Sequence, residues 1–446
     1  VTLDSTGGDL ELDNVDVDEL VIVAADSIIL SGDISVKDDL AFPAAVSLDE
    51  DVKITATDED VDFFVAVDSA ANAGLEVQAG TGNVTFATTV GFAAGEELGF
   101  LTVFAGDVTH NGAIKTDDDG DIHLRAIDEY TMGGDITAGE NGNITIISEG
   151  PLEDLVIDNQ ITSDADGEGI ITLISDHDVN IAAGIGITAN GTDSQIIITA
   201  ERDINVNSTV SAGDDLGGAV IFTAGRDIRG DNLANLEVEA FSFRIEHVRH
   251  LGNASLDSPG DPDDARSAFN VMLSGSPADS LGGLTIKEAT GNVVLNTAAN
   301  TIVNEVNAAG DVYFQIDDAV AQPTLIDSIV AGGDVFLVGG GANLEGHGPG
   351  TSITADNLRM ENVLVIQGAG GDAFITDVAT LTLVDIATQA TLSNDNDLVI
   401  LAANEDIDAT LDITAQGDLT VDGAIGTTAN AIALTSGGDM IFNSST

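Results

Sequence analysis

The sequence predicts an all-β chain wound as a right-handed parallel β-helix (β-solenoid), with one inserted loop or small subdomain. Three observations predict it. Apolar and polar residues alternate over short runs, a Gly-Asp-apolar corner recurs at a period of about 19–25 residues, and no convincing helix of ten or more residues can be read.

The alternation comes first along the chain. Leu10-Glu11-Leu12, Val15-Asp16-Val17, Ile122-His123-Leu124, Val179-Asn180-Ile181 and Leu419-Thr420-Val421 each put every second residue on one face, the period of a half-buried strand. Between the runs sit Gly, Asp, Asn, Ser and Ala. The corner follows: Gly32-Asp33-Ile34, Gly82-Asn83-Val84, Gly106-Asp107-Val108, Gly120-Asp121-Ile122, Gly310-Asp311-Val312, Gly333-Asp334-Val335, Gly417-Asp418-Leu419 and others. Variants put another residue before the Asp, as in His177-Asp178-Val179, Arg202-Asp203-Ile204 and Arg226-Asp227-Ile228. The acids step by 25 from 178 to 203, by 24 to 227, by 23 from 311 to 334, and by 21 from 397 to 418 and again to 439. Shorter steps of 14, 14 and 8 between 107 and 143 imply that some coils carry the corner more than once. Glycine is expected there for positive φ, and Asp or Asn for a hydrogen bond to its own turn. One coil buries nothing alone, so coils must pair in parallel and stack their Val, Ile and Leu. Right-handedness follows from the usual crossover rule.

One stretch breaks the pattern. Residues 241–282 hold Arg244, His247, Arg249, His250 and Arg266 together with Pro259, Pro262 and Pro277, and are expected to form an insert. The chain thus divides into a β-solenoid over 1–240, the insert over 241–282, and a β-solenoid over 283–446. Within the insert, 262–272 is the best short helix candidate, with Pro262 near a first-turn position. His247 and His250, three apart, would share a face on a helix, but no acidic or Cys partner at diagnostic spacing completes a metal set. The chain opens on Val1-Thr2-Leu3 and closes in the repeating pattern, and is expected to be a processed product or a segment of something longer.

Composition bounds the function. Of 446 residues, 12 are Lys or Arg and 77 are Asp or Glu, a formal net charge of −65. Hydrophobic residues still make up 43%, so this is not an acidic disordered tail. Asp outnumbers Glu 56 to 21, which places acid at turns rather than on helical faces. So few cations exclude nucleic acid and anionic membrane surfaces as partners. No apolar run is long enough to span a bilayer as a helix. With no Cys there is no disulfide, thiolate metal site or Cys nucleophile.

Stretches such as Ala331-Gly332-Gly333-Asp334-Val335-Phe336-Leu337, Ala415-Gln416-Gly417-Asp418-Leu419-Thr420-Val421 and Thr223-Ala224-Gly225-Arg226-Asp227-Ile228 resemble the repeats of filamentous-haemagglutinin-like secreted surface proteins, over most of 1–240 and 283–446. That resemblance implies a stalk of right-handed parallel β-helix, an extracellular or cell-surface location, and no catalytic motif.

Calcium is the candidate cofactor. Asp117-Asp118-Asp119-Gly120-Asp121 and Asp164-Ala165-Asp166-Gly167-Glu168 resemble acidic calcium loops, because a hard cation takes several carboxylate oxygens around a sharp Gly turn. The candidate ligands are Asp117, Asp119, Asp121, Asp164, Asp166 and Glu168. Neither loop completes an EF-hand, since Ala126 and Leu173 stand where a Glu is expected. No catalytic set can be read, and the chain is expected not to be an enzyme. The expected function is a structural or adhesive fibre segment, assembling end to end with copies of itself or the rest of a longer chain. The alternatives are a glycan- or protein-binding module using 241–282, and a polysaccharide-active β-helix enzyme.

Overall fold

The structure is a computed structural model that describes the chain apart from residues 94, 164–168, 214–217, 231–237, 241, 253–268, 274–282, 299–300, 318–322, 349–350, 402–409, 423–430 and 444–446. Strands account for nearly all of its regular structure, and the strands described below pair in parallel with their neighbours. The architecture is a β-solenoid, as the sequence predicts. The one short helical turn among the described residues is Ala369–Gly371. None of the described helices is long and apolar enough to cross a membrane. Two compact units divide the chain, Val1–Ala224 and Gly225–Thr446.

In the first unit the coils contribute to three rows of strands. One row runs Leu40–Phe42, Val61–Phe63, Val84–Phe86, Val108–His110 and Tyr130–Met132. A second includes Ile114–Lys115, Ile136–Ala138, Ile161–Ser163, Ile187–Ala189 and Val210–Ala212. The third passes from Leu75–Gln78 through Leu101–Ala105, Ile122–Ala126, Ile144–Ser148, Ile170–Ser175 and Gln195–Ala200 to Ala219–Ala224. Asp107 precedes a strand of the first row, Asp135 of the second, and Asp121 and Asn143 of the third. The closely spaced motifs between 107 and 143 are therefore different corners, as expected.

Parallel register makes the core. Because inward positions meet like positions one coil on, Ile122, Ile144, Ile171, Ile196 and Val220 form one buried column. Phe42, Phe63 and Phe86 form another, with ring centroids 4.8 and 4.9 Å apart and rings within 9° of parallel. His110 takes the next place in that column, in register with Phe86.

The corner works differently from the expectation. At the corners described here the Asp or Asn oxygen does not turn back on its own loop. It accepts the backbone N–H of the corresponding residue one coil on. Asp60 Oδ1 accepts from Asn83 N at 2.7 Å, Asn83 Oδ1 from Asp107 N at 3.0 Å, and Asp107 Oδ1 from Glu129 N at 3.0 Å. In the second unit Asn292, Asp311 and Asp334 repeat the pattern at 2.9 and 2.8 Å, and Asp397, Asp418 and Asp439 at 2.8 and 2.7 Å. The glycine is likewise not at positive φ at Gly310, Gly333, Gly417 or Gly438. It leaves room for that oxygen: a Cβ would collide with Asp311 Oδ1 at Gly333 and with Asp397 Oδ1 at Gly417. Gly and Asp of the motif thus serve the contact between coils.

In the second unit the longest strands run through corners. Ser352–Gln367 lies along Phe374–Asn394, and Asn362 and Asp385 turn the chain at φ +55° and +51°. One row links Leu251, Val293, Val312, Val335, Leu358, Leu381, Ile400, Val421 and Phe442. Within the stretch expected as an insert, Ser242–His247, His250–Leu251 and Phe269–Leu273 are strands that pair in these sheets. Arg244 and His250 lie on strands whose neighbouring residues, Phe243, Ile245 and Leu251, are buried. The helix expected over 262–272 is corrected at its end, where Phe269 and Val271 are buried in a strand paired with Val238–Ala240. The coil from Phe243 to its partner Leu284 spans 41 residues, against 23 from Val335 to Leu358. The rest of the expected insert, 253–268 and 274–282, lies outside the described residues.

Candidate functional site

The first expected cation loop is held by side chains of other coils. Asn72 Nδ2 donates to Asp117 Oδ2. Asn141 Nδ2 donates to Asp119 Oδ1 at 2.9 Å, and Asn143 donates to Asp121 Oδ1 through N at 2.8 Å and Nδ2 at 3.0 Å. Thr116 Oγ1 closes the turn by donating to the Gly120 carbonyl at 2.6 Å. The carboxylates act here as acceptors for amides of other coils. The second loop, with Asp164, Asp166 and Glu168, lies outside the described residues.

Two other groups bring three potential ligand atoms within 4.8 Å of one another among the described residues: Asp38, Asp39 and Glu59, and Asp154, His177 and Asp178. In the first, all donors are carboxylate oxygens. Desolvation against the coil and the neighbouring Asp39 raise the Glu59 carboxyl above its ordinary value. The second contains an imidazole. Arg202 Nη1 donates to His177 Nε2, so His177 Nδ1 carries the proton and donates to Asp154 Oδ1 at 2.5 Å. Asn180 Nδ2 donates to Asp154 Oδ2 at 2.8 Å, and Asp203 N donates to Asp178 Oδ1 at 3.0 Å. Asp154 and His177 also line a pocket of about 300 Å³ with Glu129, Tyr130, Glu153 and Asp158.

Reading the motifs one at a time misses this second group. The signal that could have found it is the period: His177-Asp178 is a corner variant, and Asp154 stands 24 residues before Asp178, one coil below.

Next to it lies a buried polar pair. Tyr130 donates its hydroxyl to His110 Nε2 at 2.9 Å, and His110 Nδ1 donates to the Gly112 carbonyl at 2.8 Å. Burial lowers the His110 pKa and pushes the Tyr130 phenol well up. His110 is a neutral core residue that continues the phenylalanine column.

In the second unit Asp227 is 1% exposed and gripped by two guanidiniums. Arg249 donates through Nε and Nη2 at 2.8 Å each, and Arg229 through Nη2. Burial raises the Asp227 carboxyl, but the hydrogen bonds from Arg249 and Arg229 and their charges outweigh it and hold it below the usual carboxylate range. Glu246 lies between Arg244 at 2.5 Å and Lys287 at 3.0 Å. His247 and His250 do not share a helix face; they sit on separate strands. His247 pairs with Glu288 at 3.3 Å, and His250 Nδ1 accepts the Asn292 N–H at 3.0 Å, the role Asp plays at other corners. A wider groove, about 800 Å³, is bordered by Asp356, Asp377, Asp395 and Asp397.

The chain matches no known protein-family model, no curated protein and no solved structure among those compared.

Proposed function

We propose that the chain is a structural, adhesive segment of an extracellular or cell-surface fibre, joined end to end to further coils and steadied by divalent cations, calcium first. The observation that carries this reading is the corner ladder. Within each unit the same Gly-Asp contact repeats from coil to coil. It sets carboxylates in rows about 4.8 Å apart, where like charges repel and cations gather. The likeness of the repeats to filamentous-haemagglutinin-like stalks supports the same reading. The partner is a second copy or the rest of a longer chain.

Negative-stain electron microscopy of the purified chain tests this. Particles that lengthen with concentration and shorten on chelation support it. Isolated particles indifferent to both overturn it.

A second reading has an observation of its own. Six of the 12 Lys and Arg residues lie between 226 and 287. Arg229 and Arg249 converge on Asp227, and Arg244 and Lys287 on Glu246, so each carboxylate meets two cations. That gathering of positive charge favours a module that binds an anionic glycan or an acidic surface protein. Loss of binding to a sulfated glycan column on changing Arg244 and Lys287 to Ala supports it; unchanged retention removes it.

A further inference from the structure

We propose that Asp154, His177 and Asp178 form a binding site for a borderline divalent metal ion of the zinc, cobalt or nickel class, distinct from any calcium held by the acidic rows. The three ligand atoms already lie within 4.8 Å of one another, so metal binding requires no movement of the coils. The donor set decides the ion. One imidazole nitrogen with two carboxylate oxygens suits zinc and its neighbours in the first transition row, whereas calcium takes an all-oxygen shell.

The surroundings hold the ligands in place. One oxygen of each carboxylate is fixed by a donor from the next coil: Asn180 Nδ2 on Asp154 Oδ2, and Asp203 N on Asp178 Oδ1. Such outer hydrogen bonds orient metal-binding carboxylates. The other oxygen of Asp154, Oδ1, meets the imidazole. The metal takes the place of the proton on His177 Nδ1 that now bridges to Asp154; that proton moves to Nε2, so the imidazole stays neutral and binding releases no net proton. The adjoining pocket, with Glu129, Glu153 and Asp158 on its wall, has room for water to complete the coordination and adds negative potential that favours a dication.

Arg202 opposes the ion. Its guanidinium donates to His177 Nε2 and approaches Asp178 at 3.4 Å. Once the metal holds Nδ1, Nε2 carries the proton and can no longer accept that bond. Arg202 must then rely on Asp178, near a positive ion. Removing its charge therefore strengthens binding.

Isothermal titration of the full chain with zinc chloride, in excess magnesium to fill the hard carboxylate sites, tests the proposal. The wild type shows a saturable step that excess calcium does not displace. His177→Gln and Asp178→Asn each lose that step, while Arg202→Gln tightens it. In the wild type, independent of any variant, the Nδ1 resonance of His177 shifts on adding zinc. An unshifted His177 resonance, a step that survives His177→Gln, or displacement by calcium overturns the assignment.

Discussion

At the scale of single residues, the contact between coils explains why the motif is Gly-Asp. A methyl at Gly333 or Gly417 collides with an Asp oxygen of the coil before it. Gly333→Ala should therefore lower stability by about 1–3 kcal/mol, the usual range for forced overpacking. Gly8, with nothing nearer than 3.4 Å, should tolerate Ala within about 0.5 kcal/mol. Urea unfolding of the two variants checks the difference. The penalty at Gly333 should shrink when Asp311 is also changed to Ala, because the two share one contact. Acidification acts on other residues. His110 is buried neutral with a lowered pKa, so the unfolded chain binds the extra proton first. Stability is full above the unfolded histidine value of about 6.5 and falls as pH drops from there towards the lowered folded value. Asp227, lowered in the fold, adds stability above the unfolded value of about 3.9, lost as pH falls through its folded value. The double change His110→Phe with Tyr130→Phe should flatten the slope just below pH ~6.5 without a large loss, since both partners of the bond are removed together. Melting temperatures across pH for wild type and variant decide this.

At the scale of elements, the strands were legible because alternation survives in the rows: Val61 and Phe63 in, Asp62 out; Ile122 and Leu124 in, His123 out. The parallel stacking followed from the period. What the alternation could not show is the direction of the corner bond. Asp33, Asp60 and Asp107 look like turn residues in one coil, and only the neighbouring coil reveals that their acceptors are used there. The same blindness hid the Asp154–His177–Asp178 group, whose members come from two coils. Nor does the Asp117–Asp121 run, read alone, show that Asn72, Asn141 and Asn143 of other coils donate to its carboxylates. Within 241–282, Phe243, Ile245 and Phe269 are buried in the core, a placement that the cations and prolines of that stretch do not signal. The aromatic column is especially sensitive to truncation. Phe63 is stacked on both sides, so Phe63→Ala should cost about 3–5 kcal/mol, measured by urea unfolding.

At the scale of the whole molecule, charge dominates. A net charge of −65 on 446 residues opposes any compact fold. The corner ladder offsets it only locally, by giving each acceptor a backbone N–H. Salt at physiological strength screens beyond about 8 Å, so carboxylates in neighbouring coils still repel one another. In the proposed fibre, cations are therefore expected to hold the rows together with the apolar columns. Calorimetric melting of the purified chain, over a range of sodium chloride and then with calcium or a chelator at constant ionic strength, tests this most directly. The melting temperature should rise with salt, rise further with calcium, and fall on chelation. A melting temperature that moves with neither salt nor calcium would contradict cation stabilisation of the rows.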